Sequence, residues 1–391
     1  MTALEGVRVV ELTAVITGPL AGQMLADLGA DVIKIENPNG GDMFRNWRGG
    51  LYSSQFIAYN RNKRSVTLNL RNDEGRDVLF RLVETADVLL ENFRPGVMER
   101  LGLGLDALRE RNPRLVYCSI SGFGEDGPYV HRPAYDAVAQ SLSGVSSMFL
   151  DPDNPQITGP TIADNITGMN AAYGILGALF ERERTGVARR IDVNMLESGL
   201  TFMPDPWSNL INGEIPQGPL ARAKASQSYA MRCADGKLVA IHLSSPPKFW
   251  QGVQNAFERT DLGTDPRFAE RESRIANYVE LRDEFQKAAE TRPRDHWLAR
   301  LEAEDVPFAP VNTLTEVFDD PQIKHLDPFF TATHPSEGDM TMLRRPIRFD
   351  GTRDDQPLDP PPTLGEHTTE LLTELGYDGG DIERLRQNEI I

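Results

Sequence analysis

Cysteine is nearly absent: 391 residues hold two, Cys118 and Cys233, far apart and forming no CxxC pair. They supply neither a disulfide framework nor a thiol metal site, so a reducing compartment is expected, with both thiols as buried filler. Long apolar runs are missing too. None approaches the roughly 20 residues of a membrane-spanning helix. The N-terminus, MTALEGVRVVEL, has no basic segment followed by an apolar stretch, so the expected location is the cytoplasm, with no membrane partner and no secretory leader. Basic residues are outnumbered 41 to 58, for a net charge of −17. Such a surface repels phosphate backbones and anionic bilayers, which argues against nucleic acid as a partner. The six histidines fall at no ligand spacing, and no HExxH, EF-hand loop, P-loop or GxSxG is present. Metal and serine-hydrolase chemistry are therefore not expected.

What remains is an ordinary globular composition, 40% hydrophobic and 25% charged, on a chain long enough for two domains. Val7 to Glu11 predicts a buried strand, Gly18-Pro19 opens a helix to about Leu28, and Asp31 to Glu36 predicts a second strand, which makes a βαβ unit. Helices near 73–86 and 105–111 lead into strands at 87–91 and 115–120. This alternation predicts α/β structure with a mostly parallel sheet whose ligands sit beyond the strands' carboxyl ends. From 206 to 226 the pattern lapses into a linker. A hairpin around Asp235-Gly236 and helices near 248–257, 277–290 and 294–303 then predict a smaller α+β domain over 227–317, leaving 1–205 and 318–391 for the large one.

Four turns follow strands or begin helices: Ala14 to Pro19, Glu91 to Gly96, Ser121 to Gly124, and the segment around Asp164. In a parallel sheet they converge on one edge. Free backbone N–H groups at the Gly18-Pro19 helix start suit a phosphate or oxyanion. The run Asn60 to Ser65 with Arg71, Arg94 and Arg100 is a local positive cluster that could hold phosphates. Glu36 stands where a dinucleotide-binding fold places its ribose-binding acid, but Gly18 and Gly22 do not make GxGxxG. After Asp164, Ile166, Met169, Tyr173, Leu176 and Phe180 recur every three or four residues, which predicts a helix over 165–183 with that stripe buried. Asp164 is its expected N-cap, kept ionised by backbone N–H groups and the helix dipole.

Taken in order, the G-P turn, AxxLADLGADVIKIE, Gly41-Asp42, Asn62-Lys63-Arg64-Ser65, ENFRPG, SGFG, Ala134-Tyr135-Asp136, ADNITGMNAAYGILGAL, Arg184-Thr185-Gly186 and LGEHTTELLTELG span nearly the whole chain. This ordered set resembles the class III CoA-transferase family, which has a racemase branch. The resemblance implies a large Rossmann-like domain with a parallel sheet plus the smaller domain, in an interlocked homodimer. It implies Asp164 as nucleophile, and CoA contacts at Ile16, Thr17, Asn37, Leu68, Asn69, Leu70, Arg71, Asn92, Phe93, Arg94, Arg100, Tyr135 and Asp136. The substrates would be an acyl-CoA thioester and a small carboxylate, with no separate cofactor.

A carboxylate suits that chemistry. Attack on the thioester carbonyl yields an aspartyl-acyl mixed anhydride that stays activated, and CoA can be held meanwhile as an aspartyl-CoA thioester. The racemase branch carries a histidine where Tyr135 stands, and a tyrosine is a poor general base at neutral pH. Two other readings stay open: 2-methylacyl-CoA epimerisation, and CoA-ester binding without turnover. Ile16 stands where oxalate-specific members carry a glutamine, and the 213–229 region has no glycine run, so a larger or less charged acid than oxalate is expected.

Overall fold

In a computed structural model, residues 2–47 and 52–391 are described. The chain forms two compact units: Met1–Ser146 with Ile157–Pro204 and Pro328–Ile391, and Ser147–Gln156 with Asp205–Asp327.

The first unit is built on six parallel strands, β1 Arg8–Leu12, β2 Asp31–Glu36, β3 Lys63–Thr67, β4 Val88–Glu91, β5 Val116–Ser121 and β6 Arg190–Asn194, in the order β3-β2-β1-β4-β5-β6. Its helices are α1 Thr17–Ala26, α2 Ser54–Tyr59, α3 Asp73–Glu84, α4 Val97–Arg100, α5 Leu105–Arg111, α6 Asp136–Leu142, α7 Ala163–Thr185 and α8 Met195–Thr201. This is the expected mixed α/β architecture. The inner strands are apolar on both sides because helices cover both faces. On one face Val10, Leu12, Ile33, Ile35 and Leu89 pack against Val78, Leu79, Leu82 and Val83 of α3. On the other, Val9, Val32, Val88, Leu90 and Val116 meet Ala21 and Leu25 of α1 and Ala171, Ala172, Ile175 and Leu179 of α7. Helix α3 shows why such segments form: the Asn72 side chain caps it by accepting from the Glu74 N–H at 2.9 Å, Asp73 and Glu74 fill its first turn, and Arg81 lies in its last.

The tail belongs to this unit. His367 N–H bonds Ser65 O at 2.9 Å and Asn69 N–H bonds Ile390 O at 2.7 Å, while Leu371, Leu372, Ile382 and Leu385 join the core. A hairpin, Phe329–His334 with Gly338–Leu343, precedes it. The second unit has a three-stranded antiparallel sheet, Ser228–Arg232, Leu238–His242 and Phe308–Pro310, covered by helices Pro247–Ala256, Tyr278–Ala289 and Arg294–Ala303 around Trp250, Phe285 and Trp297. The stretch expected as a linker over 206–226 is largely helical, in Pro204–Gly213 and Ala221–Ser226. Both cysteines are free and buried. Among the described residues no helix is long and apolar enough to cross a membrane.

Helix α7 lies where the periodicity puts it but turned the other way. Met169, Tyr173 and Phe180, expected inside, are exposed at 51%, 80% and 66%. The buried face carries Gly168, Ala171, Ala172, Ile175 and Ala178 instead. The reason is closeness: a Cβ on Gly168 would stand 2.7 Å from Thr17 O of α1. Only small residues let the two helices approach so far, and the large ones face outward.

Leu385 is 1% exposed within the core that the tail completes. Leu385→Ala is therefore expected to lower unfolding free energy by about 2–5 kcal/mol in urea denaturation. A loss below about 0.5 kcal/mol would show that the tail is not part of the cooperative core.

Candidate active site

Strand order reverses between β1 and β4, so the crevice beyond their carboxyl ends is the natural ligand site of this sheet. Two turns form it, Thr13 to Ile16 after β1 and Asn92 to Gly96 after β4. Asn92 staples them: its Oδ1 accepts from Ala14 N–H at 3.0 Å, and its Nδ2 donates to Ala14 O at 2.8 Å and Thr17 Oγ1 at 3.1 Å. Val15 sits in the left-handed region at φ 72°, a conformation that strains a β-branched residue by about 1–3 kcal/mol. Asp42 holds it there, Oδ1 accepting from the N–H groups of Val15 at 3.2 Å and Phe44 at 2.9 Å.

Below this turn lies a buried ionic cluster. Lys34 Nζ reaches Thr13 O at 2.8 Å, Glu11 at 3.0 Å and Asp42 at 3.0 Å, and Lys63 Nζ reaches Glu11 at 2.9 Å; all four side chains are fully buried. Burial opposes charge on Lys34, but Asp42, Glu11 and Glu36 outweigh it and hold its pKa above the ordinary value. Burial pulls Lys63 down to about 8.

The cluster overturns two expectations. Of the run Asn60 to Ser65, Arg61 pairs with Asp27, Lys63 with Glu11, and Arg64 with Asp31, Glu370 and Glu374. These cations hold the fold together and are not offered to phosphate. Glu36 is likewise engaged, by Arg45 Nε at 2.8 Å and Ser65 Oγ at 2.6 Å, so it does not wait for a ribose.

Two adjoining cavities open at the crevice. The first, about 410 Å³, is lined by Asn37, Leu68, Asn69, Leu70, Arg71, Phe93 and Arg100 together with residues of the β1 and β2 ends. The second, about 340 Å³, is lined by Ile16, Thr17, Asn92, Phe93, Arg94, Tyr135 and Asp164 among others. Ala14 and Phe93 border both. All of the candidate residues thus line one cavity or the other except Asp136, which touches the second through Asp164: its Oδ1 accepts the Asp164 N–H at 3.2 Å. Arg71, Arg94 and Arg100 are exposed and make no ion pair among the described residues.

Asp164 departs from expectation in two respects. Helix α7 begins at Ala163 with Ile162 at the N-cap and no side-chain cap, so Asp164 is the second residue of its first turn. Nor is its carboxyl held low. Burial first, and repulsion from Asp136 second, push it up to about 7. With only 8% of its surface exposed, it has lost the water that would steady its charge. Beside it, Tyr59 donates to Asn165 Oδ1 at 3.4 Å, and burial, then the Asp164 charge, raise the Tyr59 pKa.

Several lining residues gave no sequence signal. Met43, Val130, Arg132 and Met195 come from loops or helix starts far apart in the chain, and no spacing rule connects them. Tyr59 falls inside a short helix, and its neighbour Asn165 is 106 positions away. Asp42 was visible only as part of a Gly-Asp pair.

A model of CoA-transferase family III matches residues 4–368. The chain belongs to that family. A formyl-CoA:oxalate CoA-transferase of Streptomyces avermitilis is 34% identical over 412 aligned positions covering 100% of this chain and 99% of the relative. A probable fatty acyl-CoA transferase of Mycobacterium tuberculosis is 37% identical over 94% and 97%. A succinyl-CoA:glutarate CoA-transferase of Mus musculus is 32% identical over 100% and 91%. Among solved structures, a Mycobacterium tuberculosis protein in an orthorhombic form superposes with a TM-score of 0.84 at 36% identity over 95% of this chain and 99% of that one. A CAIB/BAIF family protein of Brucella suis gives 0.84 at 35% over 96% and 99%. The chain is accordingly an enzyme of the CoA-transferase family.

The raised Asp164 pKa carries a stability consequence. In the unfolded chain an aspartate titrates near 3.9, so between about pH 4 and 7 the fold holds a proton that the unfolded chain releases. The penalty is absent at pH 4 and complete above 7, where three units amount to at most about 4 kcal/mol. Asp164→Asn should therefore stabilise the fold at pH 8 and leave it unchanged at pH 4, as read by urea denaturation at both. Equal effects at the two pH values would refute the shift.

Proposed function

We propose that the enzyme moves CoA between acids through covalent intermediates on Asp164. The observation that carries this reading is a desolvated carboxylate at the wall of a cavity that adjoins a second one edged by unpaired arginines. The arginines Arg71, Arg94 and Arg100 suit the phosphates of CoA, with Asn37 and the Leu68–Arg71 loop around the nucleotide. Phe93, Ile16, Thr17 and Asn92 flank the pantetheine arm where the cavities meet. Tyr135 and Asp136 border the reacting end.

In the first step an Asp164 oxygen attacks the thioester carbonyl, the C–S bond breaks, and CoA leaves as thiolate from a mixed anhydride. The thiolate attacks the aspartyl carbonyl and releases the first acid, leaving an aspartyl-CoA thioester. The acceptor carboxylate then attacks that thioester, and the returning thiolate cleaves the new anhydride at the acceptor's carbonyl, restoring Asp164. No proton is gained or lost in this cycle, so the nucleophile must start ionised. A pKa pushed up to about 7 is compatible with this: the anion is present at and above neutral pH and, poorly solvated, is more reactive than one in water. Backbone N–H groups at the start of α1 would meet negative charge on the developing oxyanion.

The same pKa also fits a general base, which favours proton exchange at the α-carbon as a second reading. Tyr135 occupies the position of the racemase branch's histidine, so that reading lacks its partner there. Deuterium wash-in to 2-methylacyl-CoA would establish it.

The interlocked homodimer implied by the resemblance is supported by Met169, Tyr173 and Phe180, three large apolar side chains exposed along one helix. A second copy of the chain gives that face a cover, and sedimentation would report the dimer.

Transfer should follow Asp164 ionisation. The expected kcat/KM falls about tenfold per pH unit below 7, and Asp136→Asn, which removes the repelling charge, moves that limb to lower pH. Asp164→Asn should reduce transfer at least about a thousandfold while hydroxylamine trapping of the aspartyl intermediate disappears. Substantial transfer by a folded Asp164→Asn enzyme would sink the proposal.

A further inference from the structure

Thr17 is the first residue of α1, 7% exposed, in the wall of the cavity that Asp164 also lines. Its hydroxyl has a fixed polarity. The Asn92 amide is locked in one orientation, because Oδ1 accepts the Ala14 N–H at 3.0 Å while Nδ2 donates to Ala14 O at 2.8 Å. The same Nδ2 donates to Thr17 Oγ1 at 3.1 Å. A threonine oxygen carries one proton and two lone pairs, so with Asn92 on a lone pair the proton points elsewhere. Among the described residues Oγ1 donates to no acceptor, and burial and Asp136, not a hydrogen bond from Thr17, set the Asp164 carboxyl. A buried hydroxyl with its donor unused is costly unless a ligand accepts from it. The free side of this one is the cavity.

Helix contact fixes where the hydroxyl stands relative to the nucleophile. Asp164 and Gly168 are four residues apart on one face of α7, and a Cβ on Gly168 would stand 2.7 Å from Thr17 O. The starts of α1 and α7 are thus pressed together, one bearing a hydroxyl and the other a carboxylate. Helix α1 also has a donor to replace: Pro19 removes one of the four unbonded N–H groups that a helix start offers. We infer that Thr17 is a further catalytic residue, whose hydroxyl, aimed by Asn92, donates a hydrogen bond to the acyl carbonyl oxygen as Asp164 attacks the carbon. The proton stays on Oγ1 throughout, and the bond strengthens as the oxygen gains charge. Asn92 is its positioning residue. The inference rests on the CoA-transfer reading for the identity of the carbonyl, but it predicts a spectroscopic effect as well as a kinetic one.

Two measurements keep the inference and the transfer reading distinguishable. Thr17→Val keeps the shape of the side chain and removes the donor, so kcat for transfer should fall about 100-fold, with KM for the acyl-CoA changed less than about threefold. Thr17→Ser restores a hydroxyl and should stand at least about tenfold above Thr17→Val in kcat. Thr17→Ala, which also lacks the donor, should show the same loss and serves if the valine variant does not fold. The second measurement needs no turnover: infrared difference spectra of acetyl-CoA, isotope-labelled at the carbonyl carbon, bound to the Asp164→Asn enzyme. The carbonyl band should lie at lower frequency there than in Asp164→Asn combined with Thr17→Val, because a hydrogen bond to the oxygen weakens the C=O bond. If the band follows Thr17 and the wild-type enzyme transfers no CoA, the transfer reading fails and the donor stands. A band indifferent to Thr17, or a Thr17→Val enzyme that transfers CoA with the wild-type kcat, overturns the inference.

Discussion

The site depends on four charges that never meet water. Lys34 and Lys63, set against Glu11 and Asp42 under the end of β1, fix the turn from which the ligand crevice begins. Each ion is expensive to desolvate, and their mutual attraction repays that only with near-complete pairing and added hydrogen bonds. Those extra bonds go to the turn itself: Lys34 donates to Thr13 O, and Asp42 accepts from Val15 N–H. Buried charge is here converted into backbone position. A hydrophobic cluster of the same volume could stabilise β1 equally well but could not hold Val15 left-handed.

The same trade recurs at Asp164, with the opposite outcome for charge. The lysine cluster uses pairing to keep ions charged away from water, whereas Asp164 is buried beside another acid and pairs with no cation among the described residues. Its charge is poorly satisfied by the fold, and in the proposed mechanism that makes the carboxylate a better nucleophile. Glu91, two residues before the shared Phe93, is pushed up to about 7 by burial, although the Phe93 N–H and the Tyr117 hydroxyl both donate to it. Two acids with near-neutral pKa values thus stand within one crevice, one lining it and one bracing the turn that both cavities share.

Much of this was legible in the sequence. The βαβ start, the helices at 73–84 and 105–111 and the second unit's hairpin follow from hydrophobic periodicity and turn residues, and the ordered motifs alone point to Asp164, Asn92 and Phe93 as one site. The failures share a cause. Strand β3, Lys63–Thr67, reads as a charged loop because its polar side chains are inside, which inverts the usual code. The positive run around it misleads for the same reason: Arg61, Lys63 and Arg64 are paired within the fold. Helix α7 was turned the wrong way because close backbone contact with α1 selects small residues for burial, and the stripe of large ones is what periodicity counts. The pKa of Asp164 could not be read from helix position, because its dominant causes, burial and Asp136, lie 28 residues away or in three dimensions only.

The two cavities meet at a single pair of residues, Ala14 and Phe93. In the proposed binding mode, a CoA thioester anchored by its nucleotide in one and reacting in the other is measured against that waist, as a key is against the shoulder of a lock. The tether between phosphate and sulfur has one length in every CoA thioester, so every donor delivers its carbonyl to the same depth. Whatever the acid, the fold need only recognise where its carbon chain continues, and the part of the molecule that varies is the part that lies beyond the waist.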